Sequence, residues 1–328
     1  MAIRKASPDT DQEARSLLQK AIRRGNAPIV RATFRYLVAE RDELAWLRTR
    51  LAVMTFEEAW PYVELVSFGR SEAEILGHYL ALCRSVKNKD AAGLGSLAYA
   101  LSQGDQSVLN GDEGDWFIRV IAKAITSREK FWAWVESEGI PRNEEARKLA
   151  VRALEGSKKA GWPWDKAFAY ATALFAAKCS LPMLESIPTD DTSEFLFWIA
   201  IDKHTPKGKS TIRAVAEEMG VRSNIALWLS FYLESGVCSH LVESRWWERE
   251  KRWRFSKLGL AEGEAEGVWA RLRPTVAERL AVDADRLRQR ISSYLSATQA
   301  PAPQLGSGRK GQRSLFGEEA TDGTSSWE

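Results

Sequence analysis

The sequence predicts an all-α chain: an irregular helical bundle, then a helical domain with winged-helix-like features, then a disordered C-terminal tail. Three observations carry that expectation. Apolar residues recur at helical spacing through most of residues 10–188. Short Gly-, Pro- and Ser-containing breakers separate those runs. No alternating βα pattern supplies a parallel sheet. The 328 residues suffice for two ordinary domains, placed at 10–188 and 193–296, with the tail at 297–328.

The first expected helix is capped by Asp11, carries Ala14, Leu17, Leu18 and Ile22, and ends at Gly25. Ile29 to Val38, Glu43 to Val53, Ala73 to Ser85 and Leu94 to Leu101 repeat the pattern, with Ser67-Phe68-Gly69 and Gly104-Asp105 as breaks. Trp116 to Ile125, Phe131 to Val135, Glu144 to Leu154 and Lys166 to Ala177 follow, interrupted at Gly139-Ile140-Pro141 and Gly161-Trp162-Pro163. No fixed period links these helices, which excludes a regular solenoid. After the polar break Pro188 to Thr192 come apolar Phe195 to Ile201, a basic loop to Ser210, and two helices over Thr211–Met219 and Asn224–Ser235. A Trp- and Arg-rich stretch reaches Phe255. One helix through Leu260, Val268 and Leu272 and a charged one over Val276–Leu295 close the ordered part.

Composition narrows the function classes. Lys and Arg (47) nearly balance Asp and Glu (44), a formal charge of +3, so nucleic-acid binding requires a local patch. Cys83, Cys179 and Cys238 lack CxxC spacing, which argues against a disulfide scaffold or structural zinc and suits a reducing cytoplasm. His78, His204 and His240 share no metal-ligand spacing. Met1 to Glu13 has no apolar core of a secretory signal, and the longest apolar run, Phe195 to Ile201, is seven residues. The expectation is a cytoplasmic, nucleoid-associated protein without membrane partners. Adjacent carboxylates such as Glu57-Glu58 and Asp190-Asp191 diverge on a helix and read as solvated surface. No catalytic constellation stands out, no cofactor is implied, and the chain reads as a non-enzyme.

Three short signals bear on function. Gln312-Arg313-Ser314-Leu315-Phe316 places two apolar residues in a polar tail where nothing local buries them. The segment resembles the peptide that docks bacterial replication and repair proteins on the sliding clamp (Gln, often Leu, Ser or Asp, Leu, Phe). Gln312, Ser314, Leu315 and Phe316 match it, and Arg313 departs from the preferred Leu. Second, Thr211 to Leu229 carries Val215, Ala216, Met219, Gly220, Val221 and Leu229 in a helix-turn-helix pattern, with Gly220 supplying the turn. Ser239 to Phe255 then reads as a winged hairpin. There Arg245, Arg249, Lys251, Arg252 and Arg254 interleave with Trp246, Trp247 and Trp253, a mixture suited to phosphates and unpaired bases or to a partner protein. Trp198 and Trp228 are expected in the core. Third, Gly208-Lys209-Ser210 mimics the end of a phosphate-binding loop. Lys203 stands where the leading glycine belongs, and Pro206 removes a needed N–H, so the match is false. Ser210 or Thr211 is expected to cap the next helix, Asp202 and His204 to orient the loop, and Lys207, Lys209 and Ser210 to form an anion site.

Leu18-Gln19-Lys20-Ala21-Ile22-Arg23-Arg24-Gly25-Asn26, with Ala45 to Val53 and Phe56-Glu57-Glu58, is similar to the helical region behind the ATPase core of RarA (MgsA)-type clamp-loader-like AAA+ proteins. Asp202-Lys203-His204-Thr205 with Gly208-Lys209 resembles an Asp-X-His-Thr-X-X-Gly pattern in relatives of that family. The resemblance covers about residues 12–60. It implies an oligomerising collar near replication forks, self-associating or joined to a AAA+ partner. Walker A, Walker B and an arginine finger are missing, so ATP hydrolysis does not carry over.

The leading expectation is therefore a non-enzymatic bacterial replication or repair factor that docks on the clamp through its tail and contacts DNA through residues 245–254. The alternative is a winged-helix transcription regulator with Asn224–Ser235 in a major groove. Against it, that helix carries no Arg or Lys after Arg222. A protein with a degenerate nucleotide-binding loop is the third reading.

Overall fold

Helix α1 (Pro8–Arg23) buries Ala14, Leu17, Leu18, Ala21 and Ile22 along one side, and Gly25, at φ 69°, turns the chain into the next helix. The computed structural model describes residues 8–60, 71–126 and 194–296. The helices expected between Phe131 and Ala177, the breaks at Ser67-Phe68-Gly69, Gly139-Ile140-Pro141 and Gly161-Trp162-Pro163, Asp190-Asp191 and Cys179 lie outside them. So do the Pro188–Thr192 boundary and the whole tail from residue 297. Pro8 starts α1, three residues before the expected Asp11 cap, because the first helical position needs no N–H.

Every regular element among the described residues is a helix, beside two isolated bridges, Ala59 with Asn88 and Lys87 with Leu241. The all-α expectation holds. Asn26 caps α2 (Ala27–Arg41) by accepting from the Ile29 N–H at 3.1 Å, and Asp42 ends it in the left-handed region at φ 53°. Helix α3 (Leu44–Glu58) follows directly. Ser71 and Glu74 form a reciprocal capping box at the start of α4 (Glu72–Cys83). Helix α5 (Asp90–Ser102) carries Gly93 where it meets Trp246, so closely that any Cβ would overlap the Trp246 backbone. A 3₁₀ turn at Gln106–Val108 leads to α6 (Gly114–Ala124).

Phe197–Ala200 is a 3₁₀ turn. Helix α7 (Pro206–Glu218) then starts with Thr205 as its cap, the hydroxyl accepting from the Gly208 N–H at 3.1 Å. The cap expected at Ser210 or Thr211 thus sits five residues earlier than Ser210, since Pro206 is well placed in a first turn. Gly220, at φ 67°, makes the turn into α8 (Ser223–Ser230), and Val215, Ala216, Ala226 and Leu229 are buried. Two helices meet at Gly220 as the spacing predicts, while Met219 of the expected motif is exposed and Val221 only half-buried. A π turn, Phe231–Ser235, extends α8, with the Gly236 N–H donating back to the Phe231 carbonyl at 2.6 Å.

Two expectations need correction. Arg245–Leu258 is a helix, α9, and no part of it is a wing. Residues 262–296 form one helix, α10 (Glu262–Ser296), with Pro274 inside it rather than a break. Leu272, Val276, Leu280, Leu287 and Ile291 make one buried stripe through the proline, and that continuous packing holds the helix together despite the missing N–H. Helices from both sides of the expected 188–193 boundary share one core: α10 packs on α2, α9 on α5, and the Phe197–Ala200 turn on α1. Among the described residues no helix is long and apolar enough to cross a membrane.

Candidate functional site

The helix α9 redistributes the residues expected to meet nucleic acid. Trp246, Trp247 and Trp253 are buried, at 3%, 7% and 9% exposure, so no base can stack on them as they stand. Arg249 is buried as well. Its guanidinium donates to Asp112 and to Asn110 at 2.8 Å, to the Val108 carbonyl at 3.2 Å, and to Asp115. The Trp253 indole donates to Ser107 at 3.0 Å. These four side chains fasten α9 to α5, α6 and the turn between them. Lys251 pairs with Glu262 at 2.6 Å, and Arg254 lies over the rings of Trp228 and Trp253 at 4.1 and 4.3 Å. Arg245 and Arg252 are the members of the set left exposed.

What the sequence did not announce is a buried charge cluster beside α1. Glu58, at the end of α3, is fully buried and accepts from Arg23 at 2.6 Å and Lys89 at 3.1 Å, both also buried. The Cys238 thiol donates to the same carboxylate at 3.4 Å, and burial pushes that thiol up to about 11. Burial alone would favour the neutral acid at Glu58, but Arg23 and Lys89 outweigh it and hold its pKa down to about 2. This corrects the reading of Glu57-Glu58 as solvated surface. Asp202 is the second centre. Its carboxylate takes Lys20 at 2.7 Å and His204 Nδ1 at 2.9 Å, and accepts the His204 N–H at 2.9 Å. Asp202 and His204 do orient the loop, as expected. Burial opposes the Asp202 charge too, yet Lys20 and His204 keep its carboxyl far below the ordinary range.

Between these centres lies a cavity of about 400 Å³. Lys20, Arg23, Arg50, Lys89 and Lys203 line it from α1, α3, the start of α5 and the loop before α7. Trp228, Phe231 and Tyr232 form an aromatic wall, since positions i, i+3 and i+4 share one helical face. Trp247 and Glu250 of α9 close the far side. Lys203 has no carboxylate partner among the described residues. Its ammonium sits 3.3 Å from the centre of the Trp228 ring and 4.5 Å from that of Phe231, a cation–π contact. Burial lowers its pKa to about 7, only partly offset by Asp202. Glu250 accepts from the Tyr232 hydroxyl and from Ser96 at 3.1 Å, while its second carboxylate oxygen has no hydrogen-bond partner among the described residues. Burial raises its pKa against the pull of Arg254.

The remaining expected residues do not converge. Lys207 pairs with Asp283 of α10 at 3.3 Å, Lys209 is exposed, and the Ser210 hydroxyl donates to the Lys207 carbonyl. They occupy the first turn of α7 and do not form an anion cradle. Gly208 is there for packing: a Cβ would overlap the backbone of Ile201 and Asp202. Trp198 and Trp228 pack on the core but stay partly exposed, and Trp228 belongs to the cavity. Gln312, Ser314, Leu315 and Phe316 lie outside the described residues. Among those described, no group of three or more His, Cys, Asp or Glu is placed to hold a metal ion. No protein-family model, no curated protein and no solved structure matches this chain.

Proposed function

We propose that this chain is a non-enzymatic accessory factor of bacterial DNA replication or repair, docked on the sliding clamp through Gln312, Ser314, Leu315 and Phe316. The observation that carries the reading is the peptide itself: two large apolar residues, correctly spaced from a Gln and a Ser, inside a stretch too polar to bury them. The helical unit is then the cargo that the tail delivers, and the collar-like resemblance of residues 12–60 makes a AAA+ partner or a second copy its neighbour. DNA contact in this reading rests on Arg245 and Arg252, because α9 buries or pairs the rest of the set. Tethering raises the local concentration at DNA, so weak contacts suffice. A short segment that orders on binding gives modest affinity. The Leu315→Ala, Phe316→Ala double variant is expected to abolish binding to a purified bacterial clamp with no change in thermal melting. Clamp binding unaffected by that double change would remove the reading.

A further inference from the structure

The cavity beside α1 has features that clamp docking does not use. Its volume, about 400 Å³, falls within the range of small-ligand clefts, roughly 300–1,000 Å³. Its charges do not balance. Among the described residues six cations, Lys20, Arg23, Arg50, Lys89, Lys203 and Arg254, are set against four carboxylates, Asp202, Glu58, Glu57 and Glu250. Glu250 has a salt bridge to Arg254 alone, at 3.5 Å, and one of its oxygens has no hydrogen-bond partner among the described residues. Lys203 is held against two rings in place of an anion.

We propose that this cavity binds a nucleoside monophosphate, with the phosphate on Lys203 and the neighbouring cations and the base on the half-buried rings of Trp228 and Phe231, over which Lys203 now lies. A doubly charged head group offsets the cationic surplus, and charge-assisted contacts to phosphate are strong inside a protein. A phosphate that draws the Lys203 ammonium off Trp228 and Phe231 frees the ring faces it now covers. Inorganic phosphate alone leaves those faces empty, and a nucleoside alone leaves Lys203 without a counter-ion. Both halves of the ligand are therefore needed. The groups facing Lys203 are Asp202 and His204 of its own loop, Lys20 of α1, and Glu250 and Arg254 of α9. With these neighbours its amine is half charged near neutral pH, and a bound anion draws a proton onto it. Binding thus tightens as pH falls from 8.5 to 7.0, before phosphate, with a second pKa of about 6, begins to lose its own charge.

The test is calorimetric titration of the full chain with AMP, GMP, CMP and UMP, beside inorganic phosphate and adenosine. Saturable one-to-one binding is expected for at least one nucleotide, tenfold or more tighter than for phosphate or adenosine. Affinity should be greater at pH 7.0 than at 8.5. Lys203→Met, which keeps chain length over the rings, should weaken binding tenfold or more at unchanged melting temperature. Should that variant fail to fold, the pH comparison on the native chain decides alone. The proposal is overturned by lack of saturable binding to all four nucleotides, by phosphate binding as tightly as they do, or by affinity indifferent to pH and to Lys203→Met.

Discussion

Replacing Glu58 with alanine is expected to cost about 3–5 kcal/mol of folding stability, among the largest single-site effects this chain offers. The carboxylate sits where Arg23 from α1, Lys89 at the start of α5 and the Cys238 thiol meet. Removing it leaves two buried cations facing each other without a counter-ion. Among the described residues the hydrogen bonds left are Arg23 to the Ser235 carbonyl at 2.9 Å and Lys89 to the Gly236 carbonyl at 3.3 Å, neither an anion. The loss is therefore more than one ion pair. Glu58→Gln preserves the shape and one acceptor, and should fall between alanine and the native chain. Urea unfolding monitored by circular dichroism measures both. A Glu58→Ala chain with the native urea midpoint would mean that the cluster does not hold α1, α3 and α5 together.

The second large effect is on acid stability. A carboxylate with a lowered folded-state pKa stabilises above its ordinary value, and that contribution is lost as pH falls through the folded value. Glu58, held at about 2 against an ordinary 4.5, and Asp202, held lower still, both act this way. Between pH 4.5 and 2 the unfolded chain takes up protons that the folded chain refuses, so stability drops steeply. Asp90, raised to about 6, and Glu250, also raised, act in the opposite sense only above their ordinary values. Between pH 5 and those ordinary values they oppose the loss, and below about pH 3 they are neutral in both states and offset nothing. The urea midpoint should fall from about pH 4 to about pH 2.5, and more shallowly in Glu58→Gln, which has lost one of the two titrating groups. A midpoint constant over that interval contradicts the cluster's role.

The helices were legible wherever an apolar stripe ran beside a clear stop, as with Leu17, Leu18 and Ile22 before Gly25. Residues 239–255 misled because alternation of Arg and Trp looks like a strand with two faces. The same letters at Trp246, Arg249, Glu250 and Trp253 follow the i, i+3, i+4, i+7 rule, and that is the face α9 buries. The split expected between Leu272 and Val276 erred in the other direction, since the buried stripe from Leu272 to Ile291 runs straight through Pro274. The charge cluster had no local signature at all. Lys20, Glu58, Lys89 and Asp202 are ordinary polar residues in sequence, and Arg23 meets Glu58 across 35 positions and the Ser235 carbonyl across 212. Such pairings exist only once the helices have packed, so the cavity they frame was out of reach of any local pattern.

The measurement that bears most directly on the functional account compares two chains on a purified bacterial sliding clamp: the full chain and one ending at Gly306. Binding by the full chain that vanishes with the removed segment is the predicted result, and it places the helical unit at the replication fork as delivered cargo. Equal binding by both, or binding by neither, contradicts the account and leaves Gln312 to Phe316 a coincidence of five letters.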